Sequence, residues 1–147
     1  MKRQIWLSGI AFVVLALLVA ACGSASAPEE AATEPDLTKN ADGYTDINVE
    51  QLAAMMSNKD FTLVNVHVPY QGEIPQTDLF IPFDQITDNL DQFPDKDARI
   101  VLYCRGGSMS TAAAKALVQA GYTNVLELDG GFNAWKAAGY ELLDEGR

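Results

Sequence analysis

Apolar positions in this 147-residue chain fall into three regimes, and each predicts a different kind of structure. From Ile5 to Ala21 nearly every residue is apolar, without a period, whereas from Gly23 to Gly43 (GSASAPEEAATEPDLTKNADG) almost none is. Beyond Tyr44, short apolar runs alternate with segments whose apolar residues recur at helical spacing. Phe61 to His67 (FTLVNVH) and Ala98 to Cys104 (ARIVLYC) are nearly continuous and β-branched, the pattern of strands buried on both faces of a parallel sheet. Thr45 to Ile47, Leu79 to Pro82 and Asn124 to Leu128 are shorter candidate strands. A capping box, Asn48 with Gln51, opens a helix through about Ser57. Further helices are predicted at about Asp84 to Leu90, Ser108 to Ala120 and Gly131 to Ala138, with Gly121 and Gly139 as stops. Such alternation predicts one α/β domain over residues 44–144, with a mostly parallel central sheet flanked by helices on both faces.

The two leading regimes have a different purpose. Met1-Lys2-Arg3 supplies positive charge before the apolar run, and Ala20-Ala21-Cys22 closes it with small residues before a cysteine. The run is shorter than the ~20 residues of a spanning helix, and its ends are those of an export signal. It resembles the leader of bacterial lipoproteins, which implies a signal peptide at 1–21 and lipid on Cys22 as the new N-terminus. Residues 22–43, small, acidic and Pro-containing, then read as a disordered tether. The expected location is extracytoplasmic, lipid-anchored to the bacterial cell membrane.

Charge narrows the partners. Ten Lys and Arg stand against twenty Asp and Glu, and loss of residues 1–21 would remove Lys2 and Arg3, leaving eight against twenty, a formal −12. No basic patch can be assembled from that balance, so nucleic acid is not an expected partner. With Cys22 committed to lipid, Cys104 has no partner for an internal disulfide. An unpaired thiol in an exported protein is either buried and inert or there for its chemistry.

Its context favours chemistry. Cys104 ends the most hydrophobic strand and precedes the helix that starts near Ser108, the place where ligands bind in parallel sheets. Gly106 and Gly107 lack Cβ atoms, which permits a tight loop with backbone N–H groups aimed at the sulfur. The helix beyond adds unpaired N–H groups and the positive end of its dipole. Such a cradle favours thiolate, the reactive form. Arg105 offers charge to an anionic substrate, Ser108 is the expected helix cap, and Ser110 is either a second cap or a donor to sulfur on Cys104. Met109, Ala113, Ala116, Leu117 and Ala120 recur as a core face.

Two stretches carry a family resemblance. Cys104-Arg105-Gly106-Gly107-Ser108-Met109-Ser110, followed by an Ala-rich helix and Ala-Gly-Tyr, is similar to the C-R-x-G-x-R-S active loop of single-domain rhodaneses. Leu128-Asp129-Gly130-Gly131-Phe132-Asn133-Ala134-Trp135 resembles their closing D-G-G-[FW]-x-A-W signature. The resemblance covers roughly Tyr44 to Leu143 and implies a rhodanese-like sulfurtransferase in which Cys104 is the nucleophile and residues 105–110 bind substrate or persulfide. It implies no metal and no organic cofactor. Partners are a small sulfur-containing donor and a thiol or cyanide acceptor, with a protein acceptor as an alternative.

Departures sharpen these expectations. The family's D-x-R strand ending is here Asn65-Val66-His67, its G-H-I-P-G-A segment is Gly72-Glu73-Ile74-Pro75-Gln76-Thr77, and the loop's second arginine is Met109. Loss of cationic contacts favours a polysulfide, persulfide or other weakly charged donor over thiosulfate. It also leaves open a carrier or binding module that holds sulfur without turnover. A phosphatase of the related fold needs an arginine where Ser110 stands. His67 and Asn65 are expected to support the loop, with His67 as a catalytic base the alternative. His67, Glu73 and Asp78 have no recognisable metal-ligand spacing, and Val68 to Asp78 is expected to govern specificity.

Overall fold

A computed structural model of the chain describes residues 37–144, which excludes Cys22 and the predicted signal peptide. Its elements are β1 (Thr45–Ile47), α1 (Val49–Met56), β2 (Thr62–Asn65), β3 (Leu79–Phe80), a 3₁₀ segment (Phe83–Gln92), β4 (Ile100–Tyr103), α2 (Ser108–Gln119), β5 (Val125–Leu128) and α3 (Gly131–Ala137). The five strands form one sheet in the order β1-β5-β4-β2-β3. All four strand pairings are parallel. β4 lies at the centre because all four of its residues are apolar and fully buried, each side chain contributing roughly 1.5–3 kcal/mol.

Alternation along the strands sorts side chains between two cores. Ile100 and Leu102 of β4, Val64 of β2 and Val125 of β5 pack with Ala113 and Leu117 of α2 and Ile86 of the 3₁₀ segment. Val101 and Tyr103, Leu63, and Leu126 and Leu128 face the opposite way, against Leu52 of α1 and Phe132 and Trp135 of α3. Helices therefore cover both faces, and every strand continues the sheet in the predicted parallel sense. The capping box at α1 is present in both directions, Gln51 N–H on Asn48 Oδ1 and Asn48 N–H on Gln51 Oε1, each 2.8 Å.

Three local expectations change. The predicted helix at Asp84 to Leu90 is a 3₁₀ segment broken at Asn89, which adopts φ −122°. The Asn89 side chain donates to Gln85 O at 2.8 Å and so competes with the helical ladder. Residues 37–43, expected in the tether, have partners in the domain, and the rest of that segment lies outside the described residues. Leu37 packs on the α1/α3 core, Asn40 N–H donates to Tyr44 O, and Asp42 pairs with Lys115 at 2.9 Å. Composition gave no sign that those few side chains find partners. Ser108 is not a cap: the capping position is Gly107, at φ 107°, and no side chain caps α2.

Candidate active site

α2 lacks a side-chain cap because the sulfur takes that place. Gly107 N–H lies 3.1 Å from Cys104 Sγ, and the Ser110 hydroxyl lies 3.4 Å from it. The backbone amides of Gly106 and Ser110 also act on the thiol. Amides that a helix N-terminus leaves unpaired thus converge on one atom. Burial pushes the Cys104 thiol up, but the Ser110 hydroxyl and these amides outweigh it, and the thiol falls below its ordinary value.

The Gly106 amide is turned in by the carbonyl of its own peptide, which α3 holds outward. Phe132 N–H donates to Cys104 O at 2.9 Å and Asn133 N–H to Arg105 O at 3.0 Å. In a trans peptide C=O and N–H point in opposite directions, so fixing these carbonyls on α3 turns the amides of Arg105 and Gly106 away from α3. Gly131 makes that docking possible: at φ +53°, a Cβ there would lie 2.1 Å from Cys104 O. The closing signature therefore builds the active loop, beyond allowing a tight turn into α3.

Cys104 itself is only 1% exposed. Burial alone would fit an inert thiol; the polar lining on the loop side distinguishes it. Arg105, Gly106 and Ser108 are exposed above the sulfur, Gly107 and Met109 are half-buried, and Ser110 is fully buried. Met109 packs against the α2-side core, so the position of the family's second arginine points no charge at the sulfur.

His67 follows β2 on the same sheet edge, where Val66 N–H bonds Tyr103 O. Its Nε2 is 3.2 Å from Gln71 Oε1, its ring meets Phe132 edge-on, and no hydrogen bond joins it to Cys104. Burial lowers its basicity, Gln71 opposes this, and nearby Arg105 lowers it further, which favours the neutral ring. Asn65 accepts from His67 N–H at 3.0 Å and donates to Gly72 O at 3.1 Å. Both residues are thus placed to hold the 68–78 loop. Among the described residues His67, Glu73 and Asp78 do not converge as ligands; Asp78 instead pairs with Lys59 and accepts from Leu63 N–H.

Two residues escaped the sequence reading. Tyr103, whose phenol burial holds well above its ordinary range, accepts from Ile74 N–H at 3.0 Å and meets Thr77 Oγ1 at 2.7 Å. Glu127 is 1% exposed and contacts the Ser110 hydroxyl through Oε1. Burial above all pushes its carboxyl up to about 7; Ser110 pulls it down, while Asp129 and Asp46 push it up. A lone acid within the VLEL strand was the available signal, since such a strand buries both faces.

Residues 48–138 match the rhodanese-like domain family. The chain belongs to that family. It is 35% identical over 102 residues to a sulfurtransferase of Allochromatium vinosum, covering 67% of this chain and 94% of the relative. It is 29% identical to the thiosulfate sulfurtransferase GlpE of Pseudoalteromonas translucida, covering 69% and 97% of the two chains. The solution structure of the rhodanese-like domain of the Anabaena Alr3790 protein superposes with a TM-score of 0.61 at 27% identity, over 69% of this chain and 82% of that one. The matched span runs from α1 through α3 and includes both motifs, with β1 lying just before it.

Proposed function

We propose that this rhodanese-like protein is a sulfurtransferase that moves sulfane sulfur through a persulfide on Cys104. The observation that carries the reading is the Gly107 amide 3.1 Å from Sγ with the Ser110 hydroxyl at 3.4 Å, a cradle for thiolate and persulfide alike. The thiolate attacks the outer sulfur of a donor, the donor's S–S bond breaks, and the remainder leaves with the electron pair. An acceptor thiolate or cyanide then attacks the outer sulfur, and Cys104 leaves as thiolate held by the loop amides. No metal or organic cofactor enters either displacement. Because Sγ is covered at rest, donors reach it only as the exposed loop yields, which favours slim, weakly charged polysulfides and persulfides over thiosulfate.

That burial also supports a second reading, a carrier that accepts sulfur and releases it only to a protein partner. Intact-mass measurement after incubation with polysulfide separates them. One added sulfur on wild type, absent in Cys104→Ser, with rapid loss to free thiols is expected of the enzyme; a persulfide that small thiols leave untouched is expected of the carrier. No added sulfur after polysulfide would end both.

We further propose that residues 1–21 are a signal peptide, that Cys22 is acylated, and that the domain is held outside the bacterial cell membrane by lipid. Incorporation of labelled palmitate that vanishes in Cys22→Ala is the expected result.

A further inference from the structure

We propose that Glu127 is the proton store of the Cys104 nucleophile, exchanging one proton with its sulfur through the Ser110 hydroxyl. The inference rests on the reading of Cys104 as the sulfur-bearing residue and adds how its thiolate forms inside a closed site. Ser110 Oγ has a single proton and three acceptors around it: Gly107 O at 2.9 Å, Cys104 Sγ at 3.4 Å, and Glu127 Oε1 at a very short contact. Which acceptor receives that proton depends on Glu127. An ionised carboxylate takes it, and the sulfur keeps its own proton, donated toward Oγ. A protonated carboxyl donates to Oγ instead, and the hydroxyl proton turns to the thiolate.

The two arrangements interconvert without changing net charge. The Cys104 S–H bond breaks and an O–H bond forms at Ser110, whose original proton passes to Glu127 Oε1. A buried site only 1% exposed at both ends favours this, because expelling a proton to water would leave an added charge in a poorly solvated place. Two neighbours set the balance. One oxygen each of Asp46, on β1, and Asp129, after β5, lies within 4.8 Å of Glu127, and both acids favour a protonated carboxyl. From α2 the group facing Glu127 is Ser110; the helix's Lys115 is paired with Asp42. Leu102 of β4 lies alongside in register and Gly107 is its neighbour in the loop, both uncharged. Glu127 is thereby a positioning residue, acting on sulfur through Ser110.

The test is the rate of iodoacetamide alkylation at Cys104, read by peptide mass on the full chain from acid to alkaline pH. Two groups sharing a proton titrate as a pair, so wild type should show two steps separated by a plateau of pH-independent reactivity near neutrality. In Glu127→Gln the amide still donates to Oγ but holds no proton to exchange, and reactivity should climb about tenfold per pH unit to a single midpoint. Ser110→Ala should lose the plateau with Glu127 intact. Persistence of the plateau in either variant, or its absence from wild type, overturns the inference. Should Glu127→Gln fail to fold, infrared titration of protonated carboxyl in wild type decides: its midpoint should move when Cys104 is alkylated, and an unmoved midpoint overturns the coupling. Sulfur loading is measured separately, so normal loading without a plateau sinks the role of Glu127 alone, while a plateau without loading sinks the reading of Cys104.

Discussion

Two loops at the carboxyl edge of the sheet are built in different proportions of main chain and side chain. Residues 104–110 take their shape from main chain: carbonyls of Cys104 and Arg105 docked on the amides of α3, and a Gly107 at φ 107° that turns its N–H to sulfur. Residues 68–78 have one main-chain bridge, Glu73 with Leu143 at 2.8 Å in both directions, and otherwise depend largely on side chains. Asn65 grips Gly72 O, Tyr103 grips Ile74 and Thr77, and Asp78 takes Leu63 N–H. The contrast teaches where specificity can vary. A main-chain cradle offers the same donors to any sulfur anion, whereas a side-chain-held loop can be re-cut by single substitutions without disturbing Cys104.

The largest effect should come from breaking the main-chain loop at its outer support. Gly131→Ala places a Cβ 2.1 Å from Cys104 O and forces a φ that L-residues rarely adopt, so α3 must withdraw and release the carbonyls that aim the cradle. We expect loss of sulfur loading and a destabilisation of at least ~2 kcal/mol by urea unfolding. Full loading would mean that the cradle keeps its shape without α3.

Next is the floor of the same loop. The folded carboxyl of Glu127, at about 7, lies above its unfolded value of 4.5, so the folded state binds the extra proton. Its contribution to stability is therefore complete below about pH 4.5 and is lost as pH rises through about 7, a difference on the order of 3 kcal/mol. Glu127→Gln should flatten this decline, narrowing the gap in unfolding free energy between pH 5 and pH 8 by about 2–3 kcal/mol. An unchanged gap would show that the acid is solvated where the fold buries it.

The comparison also explains what was legible beforehand. The parallel strands, both helical layers and the placing of Cys104 between a strand and a helix follow from patterns local in sequence: β-branched runs, a capping box, and glycines beside a cysteine. The loop 104–110 was legible for the same reason, because glycine records a backbone requirement at the position that has it. Tyr103 and Glu127 act across the sheet, so their partners are not local in sequence; Tyr103 reads as one more buried aromatic in IVLY, and only the lone acid in VLEL stands out by type. The cap of α2 was misassigned to Ser108 because serine at a helix start reads as a cap by residue type, whereas the capping position falls one residue earlier, on Gly107, whose N–H already faces the sulfur. The 3₁₀ break at Asn89 turns on a side chain choosing Gln85 O over solvent, a choice that apolar periodicity does not encode.

A smaller effect is expected in the side-chain-held loop. Thr77 Oγ1 donates to Ile74 O at 2.6 Å, so the Tyr103 hydroxyl is the donor to Thr77 while it accepts from Ile74 N–H. Tyr103→Phe leaves that buried amide without an acceptor and should cost about 1–2 kcal/mol. Hydrogen exchange of amides in 71–78 should quicken while sulfur loading persists. Equal exchange in variant and wild type would place the anchor of this loop elsewhere.

The smallest effect sharpens the main-chain side of the comparison, because it separates two glycines that look alike in sequence. Gly107 has φ +107°, so Gly107→Ala should cost about 1–2 kcal/mol and slow loading by misdirecting its N–H. Gly106 has no such constraint: a Cβ there would meet only Asn133 Nδ2, at 3.9 Å, an ordinary contact in exposed surroundings. Gly106→Ala should therefore stay within about 0.5 kcal/mol of wild type and load sulfur at a similar rate. A Gly106→Ala defect as large as that of Gly107→Ala would mean that the loop passes through a second backbone state during transfer, one in which residue 106 takes the positive φ that residue 107 holds at rest.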